Sequence, residues 1–100
     1  MLNEQLISVK ELCTYHNIEI EFIQSLHEHG LIELTSVEEQ TVISYAQLGE
    51  VEKMIRLHYD LDVNIEGLDV IRHLLLRLEE AQGKISELSN KLKFYLEEKK

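Results

Sequence analysis

Cys13 and His16 stand three residues apart, a spacing that sets two metal-ligand side chains on one face of a helix. Two ligands fall short of the four that a structural zinc site takes. The pair therefore reads as a buried cysteine beside a helix-end histidine, and neither a metal nor another cofactor is expected. His27 and His29 are two apart and point to different sides of a helix. His58 and His73 are expected to border the core or a helix seam. The carboxylate pairs Glu79–Glu80 and Glu97–Glu98 have no apolar context that would set their pKa values apart for acid–base work, and read as solvated helix faces. Four scattered glycines make no phosphate-cradling loop, and no Ser/His/Asp or Cys/His set carries a local nucleophile signature. The expectation is a protein that is not an enzyme.

Charge is the stronger signal. The chain carries a net charge of −9, unevenly spread. Residues 1–44 hold eight acids and one base, Lys10, a balance of −7 with no arginine, whereas residues 45–100 stand near neutrality at −2. Nucleic-acid binders need the opposite, because Lys and Arg supply affinity by neutralising phosphates. A nucleic-acid partner is therefore not expected. The candidate partner-binding residues are Glu19, Glu21, Gln24 and Glu28 on one helix, with Glu38 and Glu39 at a hairpin tip.

The elements that position these residues can be read from period and punctuation. Ser8 and Glu11 form an S-x-x-E capping box that opens a first helix through Val9, Leu12 and Cys13, closed near Asn17. A second helix runs from about Glu19 to His29 on the stripe Phe22, Ile23, Leu26, and Gly30 stops it. Residues 32–44 change to a β-branched pattern and predict a two-stranded hairpin, or wing. Its tip, near Glu38–Glu39, lacks an Asn-Gly pair, so the turn type stays open. A third helix is expected from Ser44, capped with Gln47, to Tyr59–Asp62. Asn64 is the candidate cap of a long final helix.

In that last helix Leu68, Ile71, Leu75 and Leu78 make a heptad seam that continues through Ile85, Leu92 and Leu96, with Gln82 and Ser89 as polar interruptions. A helix from Asn64 to Glu98 is roughly 50 Å long at about 1.5 Å per residue. That exceeds the ~26 Å diameter of a compact chain this size. Its far end needs another surface, and a second copy is the simplest, so a homodimer is expected. The chain divides on this reading into residues 1–62, holding helices and wing, and residues 63–100, the C-terminal helix, within one structural domain.

One hundred residues, 44% hydrophobic and 29% charged, fit a single soluble domain with room for one core. No stretch approaches the ~20 apolar residues of a membrane span, and the first ten residues lack the pattern of a signal peptide. One cysteine forms no internal disulfide, which fits a cytoplasmic location.

The order helix, turn, helix ending in Gly-Leu-Ile, hairpin, then a helix opening beside an aromatic resembles the MerR-type winged helix-turn-helix. The stretches Ile7-Ser8-Val9-Lys10-Glu11-Leu12, Phe22-Ile23, His29-Gly30-Leu31-Ile32 and Ser44-Tyr45-Ala46-Gln47-Leu48 carry the likeness. Together with Asp60-Leu61-Asp62-Val63-Asn64-Ile65-Glu66-Gly67-Leu68 and the chain length, they make it most similar to the CbpM-type chaperone-modulator family. The resemblance implies a mainly α fold: a MerR-like winged helix-turn-helix with a small β-hairpin wing and a long C-terminal helix. It also implies binding to the J-domain of a DnaJ/CbpA-like co-chaperone and inhibition by blocking Hsp70 access. DNA-binding relatives carry arginines and a Tyr-Tyr pair on the second helix, where this chain reads Glu19, Glu21, Gln24, Ser25, Leu26, Glu28. A MerR-like DNA-binding regulator using Lys53 and Arg56 of the third helix is the alternative, and a bare dimerisation adaptor a third.

Overall fold

The computed structural model describes residues 5–98. In chain order the elements are β1 (Leu6–Ser8), α1 (Val9–His16), α2 (Ile20–Glu28), β2 (Thr35–Val37), β3 (Gln40–Ser44), a single 3-10 turn (Tyr45–Gln47), α3 (Leu48–Leu61) and α4 (Ile65–Glu98). The fold is mainly helical, a MerR-like winged helix-turn-helix with a small antiparallel sheet and a long C-terminal helix.

Local chemistry sets most of the boundaries. Ser8 caps α1, its hydroxyl accepting from the Glu11 N–H at 3.4 Å. Asn17 closes α1 at φ 56°, and Gly30 follows α2 at φ 74°. The same bond pair seals both ends: Asn17 N–H to the Thr14 carbonyl with Ile18 N–H to Cys13, and Gly30 N–H to His27 with Leu31 N–H to Leu26. A left-handed residue turns the chain back, and the apolar residue after it packs on the helix just left. Leu31 and Ile32 are buried, and Ile18 packs against the core. Asp62, at φ 59°, ends α3 with its N–H on the His58 carbonyl. Asn64 then opens α4, its Oδ1 accepting from Gly67 N–H at 2.8 Å. A Cβ on Gly67 would stand 2.8 Å from the Val63 side chain, so this cap needs glycine.

Two parts of the wing region differ from the sequence expectation. The strands span Thr35–Val37 and Gln40–Ser44, so the hairpin begins three residues later than residue 32. A third strand, β1, pairs with β3 and puts it at the centre, in the order β1-β3-β2, with Ile7 opposite Ile43. Three residues leading into a helix cap are too few to show a strand period, so only pairing reveals β1. The capping box drawn at Ser44 and Gln47 does not form. Ser44 precedes a 3-10 turn without a side-chain cap. Gln47 instead clasps the Glu33 backbone, accepting from its N–H at 2.8 Å and donating to its carbonyl at 2.9 Å.

The chain forms two compact units, one ending at Asp69 and one beginning at Val70. In the first, Val9, Leu12, Phe22, Ile23, Leu26, Ile43, Val51, Met54, Ile55 and Leu68 make one core, and no polar or charged side chain is buried among the described residues. This unit runs seven residues past the boundary drawn after residue 62, because the first turn of α4 is needed to bring Leu68 into that core. The second unit is α4 from Val70 onward.

Candidate functional site

The α2 stripe Phe22, Ile23, Leu26 points inward, which leaves Glu19, Glu21, Gln24 and Glu28 exposed on its other side. Phe22 fixes the helix against α3. Its ring stacks on His58 at 4.5 Å and 20°, and Tyr59 meets it edge-on at 5.3 Å. The Tyr59 hydroxyl accepts from Glu19 N–H at 3.3 Å, so the start of α2 is held as well. The His58 Nδ1–H donates to the Val63 carbonyl at 2.8 Å, which fixes the ring's tautomer and orientation because a carbonyl only accepts.

Between α2 and the wing lies an open groove of about 490 Å³, lined by Gln24, His27, Glu28, Leu34, Thr35 and Ser36. His27 is set by its Nδ1–H on the Ile32 carbonyl at 3.3 Å, and Leu34 packs against the core below. A second groove, of about 300 Å³, is lined by Ser8, Val9, Lys10, Ile20, Glu39, Gln40 and Thr41. The six expected contact residues are thus all exposed but not all together. Gln24 and Glu28 share the first groove, whereas Glu39 lines the second beside Lys10. Glu21 lies close enough to Cys13 to help raise the thiol's pKa, burial being the larger cause. From residue 11 to residue 52 the sequence has no Lys or Arg.

The wing tip has a feature hidden from composition. Glu38 (φ 51°) and Glu39 (φ 68°) are both left-handed. That is the geometry of a two-residue type I′ hairpin turn, normally filled by Asn-Gly. Each non-glycine residue there costs roughly 1–2 kcal/mol of backbone strain. Two carboxylates therefore sit where the turn itself prefers glycine.

Cys13 and His16 do not share a ligand site. Cys13 is buried, and His16 Nε2 lies 3.2 Å from Glu52 Oε2 of α3. Among the described residues no three His, Cys, Asp or Glu side chains gather where a metal ion would be held.

Along α4 the expected seam needs one correction. Leu68, assigned to dimerisation, is 1% exposed within the core of the first unit and is not available to a partner. The other assigned residues, Ile71, Leu75, Leu78, Ile85, Leu92 and Leu96, are half-buried or exposed. A neighbouring register fits better. Ile71, Leu74, Leu78, Ala81, Ile85, Leu88, Leu92 and Tyr95 alternate by three and four with no polar position, and Leu74 and Leu88 are 55% and 58% exposed. This register removes the polar interruptions at Gln82 and Ser89. Leu68 belongs to the core, and this apolar row begins at the half-buried Ile71.

The family model for MerR HTH family regulatory proteins matches residues 7–90. The chain belongs to this MerR helix-turn-helix family. The matched span takes in the MerR-like helices, the wing and most of α4. No curated protein and no solved structure matches the chain. Among the described residues no helix is long and apolar enough to cross a membrane.

Proposed function

We propose that this MerR-family chain is a chaperone modulator of the CbpM type. It binds the J-domain of a DnaJ/CbpA-like co-chaperone and inhibits it by blocking Hsp70 access. The observation that carries the reading is the exposed acidic face on α2 and the wing, with Glu19, Glu21, Glu28, Glu38 and Glu39 all in solvent. A carboxylate about 4 Å from a phosphate repels it by about 1 kcal/mol even in bulk water, and several such pairs oppose the counterion release that drives DNA binding. A basic protein helix reverses the sign of each term. Complementary charge then speeds encounter, and exposed side chains around it supply affinity. The active form is a homodimer joined through the α4 seam.

The double variant Glu21→Lys with Glu28→Lys tests the reading against the isolated J-domain by calorimetry. Binding should fall by at least tenfold while the melting temperature stays near that of the parent. Unchanged affinity removes this face from the interaction.

A MerR-like DNA-binding regulator is the second reading. It is favoured by the family's description as regulatory and by Lys53 and Arg56, both exposed on α3, although Lys53 is paired with Glu50 at 3.4 Å. A gel-shift titration at low salt separates the two, since tight binding to duplex DNA would favour the regulator.

A further inference from the structure

We propose that the groove between α2 and β2 is the subsite that takes one lysine or arginine side chain from the basic partner. This rests on the acidic-face reading above and assigns its anchoring contact. Five of the six lining residues carry a polar side chain, and each presents an acceptor. Glu28 offers a carboxylate, Gln24 its Oε1, and Thr35 and Ser36 their hydroxyls. With His27 Nδ1–H donated to the Ile32 carbonyl, Nε2 is the ring nitrogen left to accept in the neutral tautomer. No lysine or arginine lines the groove.

The sixth residue, Leu34, packs against the core and offers an apolar surface. Long basic side chains bury a hydrocarbon stem while keeping the charged head among acceptors. Leu34 suits the stem, and Glu28 with its neighbours suits the head. The groove is fixed from three sides. The α2 C-terminus is closed by Gly30, the chain beyond it is held by His27, and Glu33 is clasped by Gln47. Small-molecule pockets are mostly apolar and close over their guest. This groove is polar and open, which suits a side chain presented by a larger body.

The full chain is titrated with two probes, a lysine-rich amphipathic helical peptide and the isolated J-domain. Affinity is read by calorimetry and contact by amide shifts of Gln24, Thr35 and Ser36. Glu28→Gln keeps shape and removes charge, and Asp60→Asn removes an equal charge from an exposed position on α3, outside both the groove and the acidic face. The expected result is a five- to tenfold loss of peptide affinity for Glu28→Gln, a loss under twofold for Asp60→Asn, and shifts centred on the three groove amides. Replacing the peptide's lysines one at a time by norleucine should single out one position that abolishes those shifts. Equal losses for the two variants, shifts elsewhere, or no peptide binding would overturn the groove assignment. Peptide binding in the groove with no J-domain binding would sink the co-chaperone reading and leave the groove standing. J-domain binding indifferent to Glu28→Gln would do the reverse.

Discussion

Leu26 and Leu88 are the same residue type in two helices of one chain, yet one is 0% and the other 58% exposed. The first lies in a unit where five helix and strand segments and the opening turn of α4 share a core. The second lies in a unit made of one helix. The α1 and α2 helices, eight and nine residues long, are too short to be stable alone and are held by burial of one face. The latter part of α4 depends on local terms instead. It is long, free of proline, and carries Glu80–Lys84 and Glu87–Lys91 at i, i+4, each worth about 0.2–0.5 kcal/mol in that order of charge. Its leucines from Leu74 to Leu96 are exposed. The first unit therefore spends its leucines on folding and leaves its acids exposed, whereas the second leaves its leucines exposed.

The largest effect expected from this contrast comes from cutting the same side chain in both places. Leu26→Ala should lower unfolding stability by about 2–5 kcal/mol, the range for a fully buried leucine. Leu88→Ala should cost under about 1 kcal/mol in dilute solution, where an exposed residue has little to lose. Urea unfolding at low protein concentration measures both, and equal losses would erase the distinction between the units.

A second break targets association. In the proposed homodimer, Leu78→Lys with Leu88→Lys places four charges in the α4 seam. Sedimentation equilibrium should show self-association weakened by more than about tenfold, because a charge left unpaired in an apolar contact is costly. The circular-dichroism melt of the first unit should persist. The pair Leu75→Lys with Leu96→Lys should do less, since these residues flank the register that starts at Ile71.

A third experiment asks how much stability the wing tip gives up to keep its acids. Glu38→Asn with Glu39→Gly should raise stability by about 1 kcal/mol, because both positions are left-handed and the new pair adopts that geometry readily. Partner binding should not rise with it. A loss of stability would mean that the two carboxylates make contacts that offset the backbone strain.

The smallest effect is a pH slope. Burial first, and the Glu21 charge second, push the Cys13 thiol above its ordinary value. The folded state therefore holds its proton longer than the unfolded chain does. The stabilisation is fully present below the ordinary thiol pKa and is lost as pH rises through that of the folded thiol. Thermal melts across that alkaline window should decline less steeply for Cys13→Ala. Glu21→Gln should show a smaller change in the same direction, as one of the two causes is gone.

The sequence by itself determined where most helices begin and end, because Ser8, Asn17, Gly30 and Asn64 act on the backbone within a few residues. It also determined the acidic character of the α2 face, since Phe22, Ile23 and Leu26 leave only one side for Glu21, Gln24 and Glu28. Tertiary structure decided what depends on partners distant in the chain. β1 exists because β3 is there to pair with it, and Gln47 clasps Glu33 instead of capping its own helix. Leu68 goes to the core because the first turn of α4 closes over it, although its spacing fits a seam equally well. The groove is likewise a tertiary product: Gln24 and Glu28 meet Thr35 and Ser36 only when the wing folds back beside α2. Periodicity says which face of an element is apolar, but not which surface that face will find.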